Sequence, residues 1–139
     1  MKRFSIRIAL EVPFHDVDSM QVVWHGHYLK YLEIARTQLL LAAGYKYHEM
    51  QNAAILWPVV DVHCRYVSPL RFGERFEVEA TIMEIEHRLK IKYLIFGQDG
   101  KKRLKGSSTQ LAVSRETGQI IETTELQQRL AQSDPPDEA

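Results

Sequence analysis

YLKYLEIARTQLLLAAG, residues 28–44, decides the fold. It is rich in helix formers, contains no glycine or proline before Gly44, and meets that glycine as a C-terminal stop. Leu29, Leu32, Arg36, Leu39 and Ala43 fall along one stripe. Tyr28, Tyr31, Ile34, Ala35, Leu40 and Leu41 cover most of the remaining circumference, and Lys30, Glu33, Thr37 and Gln38 give little polar relief. A helix apolar on nearly every side is expected to be enclosed by other structure.

The flanking segments read as strands. Upstream, residues 4–12 alternate loosely through Ile6, Ile8 and Leu10, and Pro13 ends the run before an irregular connection over 14–27. Downstream, Val60, Val62, Cys64 and Tyr66 alternate with Asp61, His63 and Arg65. Phe76, Val78, Ala80 and Ile82 share a face, then the phase slips to Met83 and Ile85, which predicts a bulge. Leu89, Ile91, Tyr93 and Ile95 alternate with Lys90 and Lys92, and Asp99-Gly100 marks a tight hairpin. A last long strand is expected over 102–114 with Thr109, Leu111 and Val113 in phase, followed by a turn at Glu116-Thr117-Gly118 and a short Ile120-Ile121 extension. A weak helix over about 123–132 precedes a polar tail at 133–139 that lacks the apolar content to fold. The order is strand, loop, one long helix, then an antiparallel meander: an α+β domain whose curved sheet wraps the helix, one open face being a plausible dimer surface.

Composition narrows the function. The chain of 139 residues is 45% hydrophobic, which suits one domain with a real core. Eighteen basic residues balance eighteen acidic ones, so no global field draws it to nucleic acid or an anionic membrane. Ser5, Arg7 and Glu11 interrupt any signal-peptide core, and no apolar run approaches the roughly 20 residues of a membrane helix. A single cysteine, Cys64, excludes an internal disulfide. These features favour the cytoplasm.

The chemistry is concentrated before the helix, in HDVDSMQVVWHGHY, residues 15–28. Asp16 and Asp18 lie on an irregular segment, where carboxylates serve either as turn caps or as chemical groups. Gly26 lets the backbone approach a ligand, and Tyr28 opens a helix whose first N–H groups lack intrahelical partners. Such donors stabilise an oxyanion, and an aspartate with an ordinary pKa of about 3.9 is ionised and ready as nucleophile or base at neutral pH. A metal site is the rival reading, since His15, Asp16, Asp18, His25 and His27 could all be ligands, yet no ligand spacing of a known kind is present.

The run D-V-D-S-M-Q-V-V-W-H-G-H-Y (16–28), followed by Y-L-E-I-A-R, resembles the hotdog-fold acyl-CoA thioesterases of the 4-hydroxybenzoyl-CoA thioesterase class, especially the bacterial branch associated with the Tol–Pal system. R-Y-V-S-P-L (65–70) is similar to that family's strand leading into a proline-containing turn. The resemblance implies a single hotdog domain over 1–132. It implies that Asp18 is the catalytic carboxylate, that His25 takes part in the site, and that N–H groups around His25 to Tyr28 polarise the thioester carbonyl. Trp24, Gly26 and Tyr28 would contact substrate, although Trp24 and Tyr28 could equally be core rings. Neither a metal nor another cofactor is implied. Expected partners are acyl-CoA, with acyl carrier protein thioesters as the alternative, and further copies of the chain in a homodimer or homotetramer. One position departs: Gln21 stands where the family turn usually carries glycine before V-V, so a different turn conformation and a narrower or less active pocket are expected. Some related hotdog enzymes draw their acid from the helix, which keeps Glu33 as a second candidate beside its plainer role as partner to Arg36. Arg88, Lys90, Lys101, Lys102 and Arg103 are available for CoA phosphates, though a basic run near a hairpin is usually a solvated face. A hydratase or dehydratase, and a non-catalytic thioester-binding protein, stay open as other functions.

Overall fold

The computed structural model describes residues 3–44, 55–85 and 87–121. The helix expected near 123–132, the tail at 133–139 and the domain limit at 132 lie outside those residues. The chain runs β1 (Ser5–Glu11), α1 (Tyr28–Ala42), β2 (Ile55–Leu56), β3 (Val59–Tyr66), β4 (Arg75–Glu84), β5 (Leu89–Phe96), β6 (Lys102–Gln110) and β7 (Val113–Ser114). Five strands form an antiparallel sheet in the order β1-β4-β5-β6-β3, while β2 and β7 pair separately. Helix α1 packs on one face of this sheet, giving the hotdog architecture that the resemblance implied.

The inner face is built from the alternations legible in the sequence. Phe76, Val78, Ala80 and Ile82 of β4 and Leu89, Ile91, Tyr93 and Ile95 of β5 are all buried, facing Tyr31, Leu32, Ala35 and Leu39 of α1. The register of β4 on β5 shifts between Ile82 and Glu84, which is the predicted bulge. At the β5–β6 hairpin the Gly97 N–H donates to the Lys101 carbonyl (2.9 Å), and Gly100 takes the φ of +80° that this turn requires. The helix stops where expected: Ala43 N–H returns to the Leu39 carbonyl at 3.0 Å, and Gly44 adopts φ +90°.

Two expectations fail. First, the helix is not enclosed all round, because Leu29, Ile34 and Leu41 are exposed. One helix lying on one sheet buries the stripe that meets the sheet, and no described element covers its back. Second, the last strand is broken and its inward face is misread. β6 ends at Gln110, Leu111 N–H crosses to the Pro58 carbonyl (3.3 Å), and the chain resumes as β7 beside β2. The inward series is Leu104, Gly106, Ser108 and Gln110, not Leu111 and Val113. Glycine keeps this approach close, since a Cβ at position 106 would sit a tight 3.1 Å from the His63 carbonyl oxygen. Ser108 is admitted by its hydrogen bond to the Tyr93 hydroxyl (2.8 Å), and the Gln110 Nε2 donates to the Trp57 carbonyl (2.8 Å). Polar residues on a buried face defeat a count of apolar alternation.

The edge strand β3 buries neither face: every residue is exposed except the half-buried Cys64. It pairs with β6 along one side, and no described strand pairs with the other.

Leu39 is fully buried at the helix–sheet contact. Leu39→Ala is expected to lower stability by about 2–5 kcal/mol through lost burial and a residual cavity. Urea unfolding checks this, with the midpoint falling at unchanged slope.

Candidate active site

Pro13 leads into a 3₁₀ turn at Phe14–Asp16, after which the chain doubles back as a small hairpin. Val17 bridges Val23, Trp24 N–H donates to the Asp16 carbonyl (3.1 Å), and Asp18 N–H donates to the Val22 carbonyl (2.9 Å). The tip is Asp18-Ser19-Met20-Gln21. Gln21 N–H closes it onto the Asp18 carbonyl (2.9 Å), and Met20 N–H donates to Asp18 Oδ1 (2.8 Å). The turn-capping reading of Asp18 is therefore right for one oxygen. Its Oδ2 meets no partner among the described residues. Gln21 adopts φ +63°, the left-handed conformation that glycine takes freely. Glutamine is forced into the glycine conformation at a cost of order 1–3 kcal/mol.

Asp16 has a different fate. Its carboxylate is completely buried, receives Lys30 Nζ at 2.6 and 2.7 Å on its two oxygens, and accepts the Tyr31 hydroxyl on Oδ2 at 2.6 Å. His15 Nε2 stands 3.6 Å and His27 Nδ1 3.9 Å from Oδ1. Burial pushes the Asp16 pKa up, but the bonds from Lys30 and Tyr31 and the nearby positive charge outweigh it, holding the group below the ordinary carboxylate range. Burial and the adjacent carboxylate push the Tyr31 hydroxyl far up, so it keeps its proton and donates. This ion pair fastens the hairpin to the first turns of α1. No local pattern announces it, since Lys30 reads as one of the few polar residues on a mostly apolar helix.

Trp24 is extended (φ −63°, ψ 137°), and His25–His27 form a 3₁₀ turn running directly into α1. His27 N–H is spent on the Trp24 carbonyl (2.9 Å), whereas the N–H groups of His25 and Gly26 meet no acceptor among the described residues. The donors open to a ligand are therefore fewer than the whole His25–Tyr28 run. The Trp24 ring lies over Gly26, and a Cβ there would displace that ring. Trp24 is thus a half-exposed cover, not a core ring, and it also contacts the rings of His25 (4.7 Å) and His27 (5.4 Å). Tyr28 is the reverse, a buried ring whose hydroxyl accepts Leu70 N–H at 3.0 Å. Burial raises its pKa. The His25 ring makes no hydrogen bond to Asp18, but its backbone carbonyl accepts the Tyr66 hydroxyl at 2.9 Å, a contact across 41 residues that no local pattern announces.

The remaining candidates sort by their partners. Glu33 is exposed and pairs with Arg36 (3.3 Å), the plainer of its two readings. Arg103 is nearly buried and held by Glu74 (2.8 Å), Asp99 (3.3 Å) and the Pro69 carbonyl (2.7 Å), which removes it from the phosphate-binding set. Arg88 pairs with Glu84 at 2.9 Å. Lys101 and Lys102 stay exposed. Among the described residues no three His, Cys, Asp or Glu side chains converge as metal donors, and no helix is long and apolar enough to cross a membrane.

The depressed pKa of Asp16 fixes a pH dependence. Its contribution to stability is complete above the ordinary carboxylate pKa of about 3.9 and is lost as pH falls through the lower folded value. Asp16→Asn is expected to cost about 2–3 kcal/mol near neutrality, discounted for the half-exposed Lys30, and to flatten the acid limb. Melting temperatures of both proteins from pH 2 to 7 check this: the curves converge at the acid end, and parallel curves would contradict the assignment.

Residues 12–133 match the family model of the thioesterase-like superfamily. YneP of Bacillus subtilis, whose name is provisionally that of an acyl-CoA thioesterase, is 31% identical over 114 residues, covering 81% of this chain and 83% of the relative. A DHNA-CoA thioesterase from Staphylococcus aureus superposes with a TM-score of 0.84 at 22% identity, over 92% of this chain and 89% of that one. A 4-hydroxybenzoyl-CoA thioesterase, solved as an Asp-to-Asn variant with 4-hydroxybenzoyl-CoA, superposes with a TM-score of 0.80 at 14% identity, over 91% of this chain and 98% of that one. The two structural likenesses carry the fold alone, while the family model spans motif, helix and sheet together. The chain belongs to the thioesterase-like superfamily and has its hotdog fold.

Proposed function

We propose that the protein hydrolyses acyl-CoA thioesters to the free acid and CoA, with Asp18 as nucleophile or general base. The observation that carries this reading is the contrast between the two acids. Asp16 is fully occupied by Lys30 and Tyr31, whereas Asp18 keeps Oδ2 free at the tip of the hairpin that feeds into the His25–Gly26 amides. As base, Asp18 takes a proton from water, and the hydroxide adds to the carbonyl carbon. The resulting oxyanion is met by the free N–H groups, and collapse expels the CoA thiolate, which is then protonated. As nucleophile, the carboxylate adds to the carbonyl carbon, the C–S bond breaks to release CoA thiolate, which takes up a proton, and water then cleaves the resulting anhydride to the free acid and Asp18. Membership of the superfamily and the thioesterase names of the relatives support the substrate class. The narrower Tol–Pal-associated branch rests on the motif at residues 16–28 alone.

In this reading Trp24 covers the entrance above Gly26, and His25 flanks it. Tyr28 supports the site from beneath rather than touching substrate. Of the five basic candidates, half-buried Lys90 and exposed Lys101 and Lys102 are left over for phosphates. Acyl carrier protein thioesters would present the same carbonyl. A hydratase would need a proton-transfer pair aimed at the acyl chain, and the His25 ring has no bond to either aspartate that would make one. A non-catalytic binder was suggested by Gln21, and the glycine-like turn found there weakens that reason.

Asp18→Asn is expected to lower kcat/KM by about 10² to 10⁴ while the protein stays folded. Thiol release across short, long and aromatic acyl-CoAs, read with a chromogenic reagent, measures it. An unaltered rate would remove the central residue, and binding without thiol release from the native protein would favour the non-catalytic alternative.

The reading includes a homodimer closed through β3, with a tetramer as a further association. Val59, Val60 and Val62 are exposed on an edge that no described strand covers, the kind of edge that soluble proteins usually protect. Sedimentation should give a dimer mass. Val62→Lys is expected to weaken the dimer at least about tenfold, a cost of roughly 1.4 kcal/mol.

A further inference from the structure

We infer that Tyr66 is a positioning residue for this reaction, aiming the Gly26 N–H by gripping the carbonyl of the same peptide unit. The inference rests on the thioesterase reading for its chemistry and on a separate contact for its geometry. Tyr66 closes β3, and its ring is about half exposed (47%), so water could have satisfied its hydroxyl. Instead the hydroxyl donates to the His25 carbonyl oxygen at 2.9 Å.

A trans peptide is planar, and its C=O and N–H point in opposite directions. No peptide bond among the described residues is cis. Fixing the His25 oxygen therefore fixes the direction of the Gly26 N–H, one of the two donors without an acceptor. A bond accepted at the oxygen also polarises the peptide and strengthens its N–H as a donor. Without that anchor, Gly26 would be the residue in this segment freest to rotate.

The surrounding frame does not depend on the hydroxyl. The Tyr66 ring packs edge-on to Tyr28 (5.3 Å, 67°) and to His25 (6.4 Å, 79°). Leu70 N–H donates to the Tyr28 hydroxyl at 3.0 Å, and Val23 N–H donates to the Leu70 carbonyl at 2.9 Å. Leu70, after β3, is thus tied to Tyr28 at the start of α1 and to Val23 before it, independently of Tyr66. Removing one oxygen atom should leave the packing intact and release only the peptide.

The test is Tyr66→Phe in the full chain. Its kcat on an acyl-CoA that the native enzyme hydrolyses is expected to fall about tenfold, with KM within twofold and the melting temperature and sedimenting mass unchanged. The ¹⁵N-labelled Gly26 amide is expected to shift and to exchange faster, in the absence of substrate. An unchanged kcat, an unmoved Gly26 resonance, or a loss of activity that tracks dissociation into monomers would each overturn the positioning role. Should the native protein release thiol from no substrate while the Gly26 resonance still moves, the anchor is supported and the hydrolase reading is what fails.

Discussion

The buried carboxylate of Asp16, held by Lys30 and Tyr31, is the contact on which the candidate site depends. A hairpin of this size has too few backbone bonds to hold its place on the surface of a sheet. The helix behind it is fixed by the core, through Leu32, Ala35 and Leu39. Joining the two by an ion pair at 2.6–2.7 Å transfers the order of the core to the loop that carries Asp18. The pair is asymmetric, since Asp16 is fully buried while Lys30 is only half-buried. That arrangement limits the desolvation cost, because the ammonium keeps part of its water while the carboxylate is satisfied by protein.

Two acids two residues apart thus have opposite surroundings. Spacing and residue type could not separate them, and only the resemblance favoured Asp18. What separates them physically is what lies opposite each on the helix side, which depends on residues 14 and 15 positions further along the chain. Tyr66 was invisible for the same reason, at a separation of 41. Local pattern could locate the segment that carries the chemistry, but not the partners that decide which atoms of it are free.

The fold was legible where burial is apolar and regular. β4 and β5 alternate cleanly because their inner faces pack on the helix along their whole lengths, and the phase slip at Met83 coincides with a register shift. β6 was misread because its inner face carries Gly106, Ser108 and Gln110, chosen for close approach and for hydrogen bonding. Apolar residues distributed all round the helix imply full enclosure. The sheet covers one side, and the exposed Leu29, Ile34 and Leu41 are left on the other. Glutamine disfavours a positive φ, yet closure by the Gln21 N–H and the Met20–Asp18 bond holds Gln21 in that conformation.

The indole of Trp24 resting on Gly26 also gives the region an optical signal of its own. The sequence holds two tryptophans, and this one sits between two imidazoles with nearly half its surface in water. Whatever slides beneath it must lift the ring from the glycine, and whatever protonates its neighbours alters the field around it. Its emission therefore reports events at the mouth of the helix directly, without a dye and without turnover.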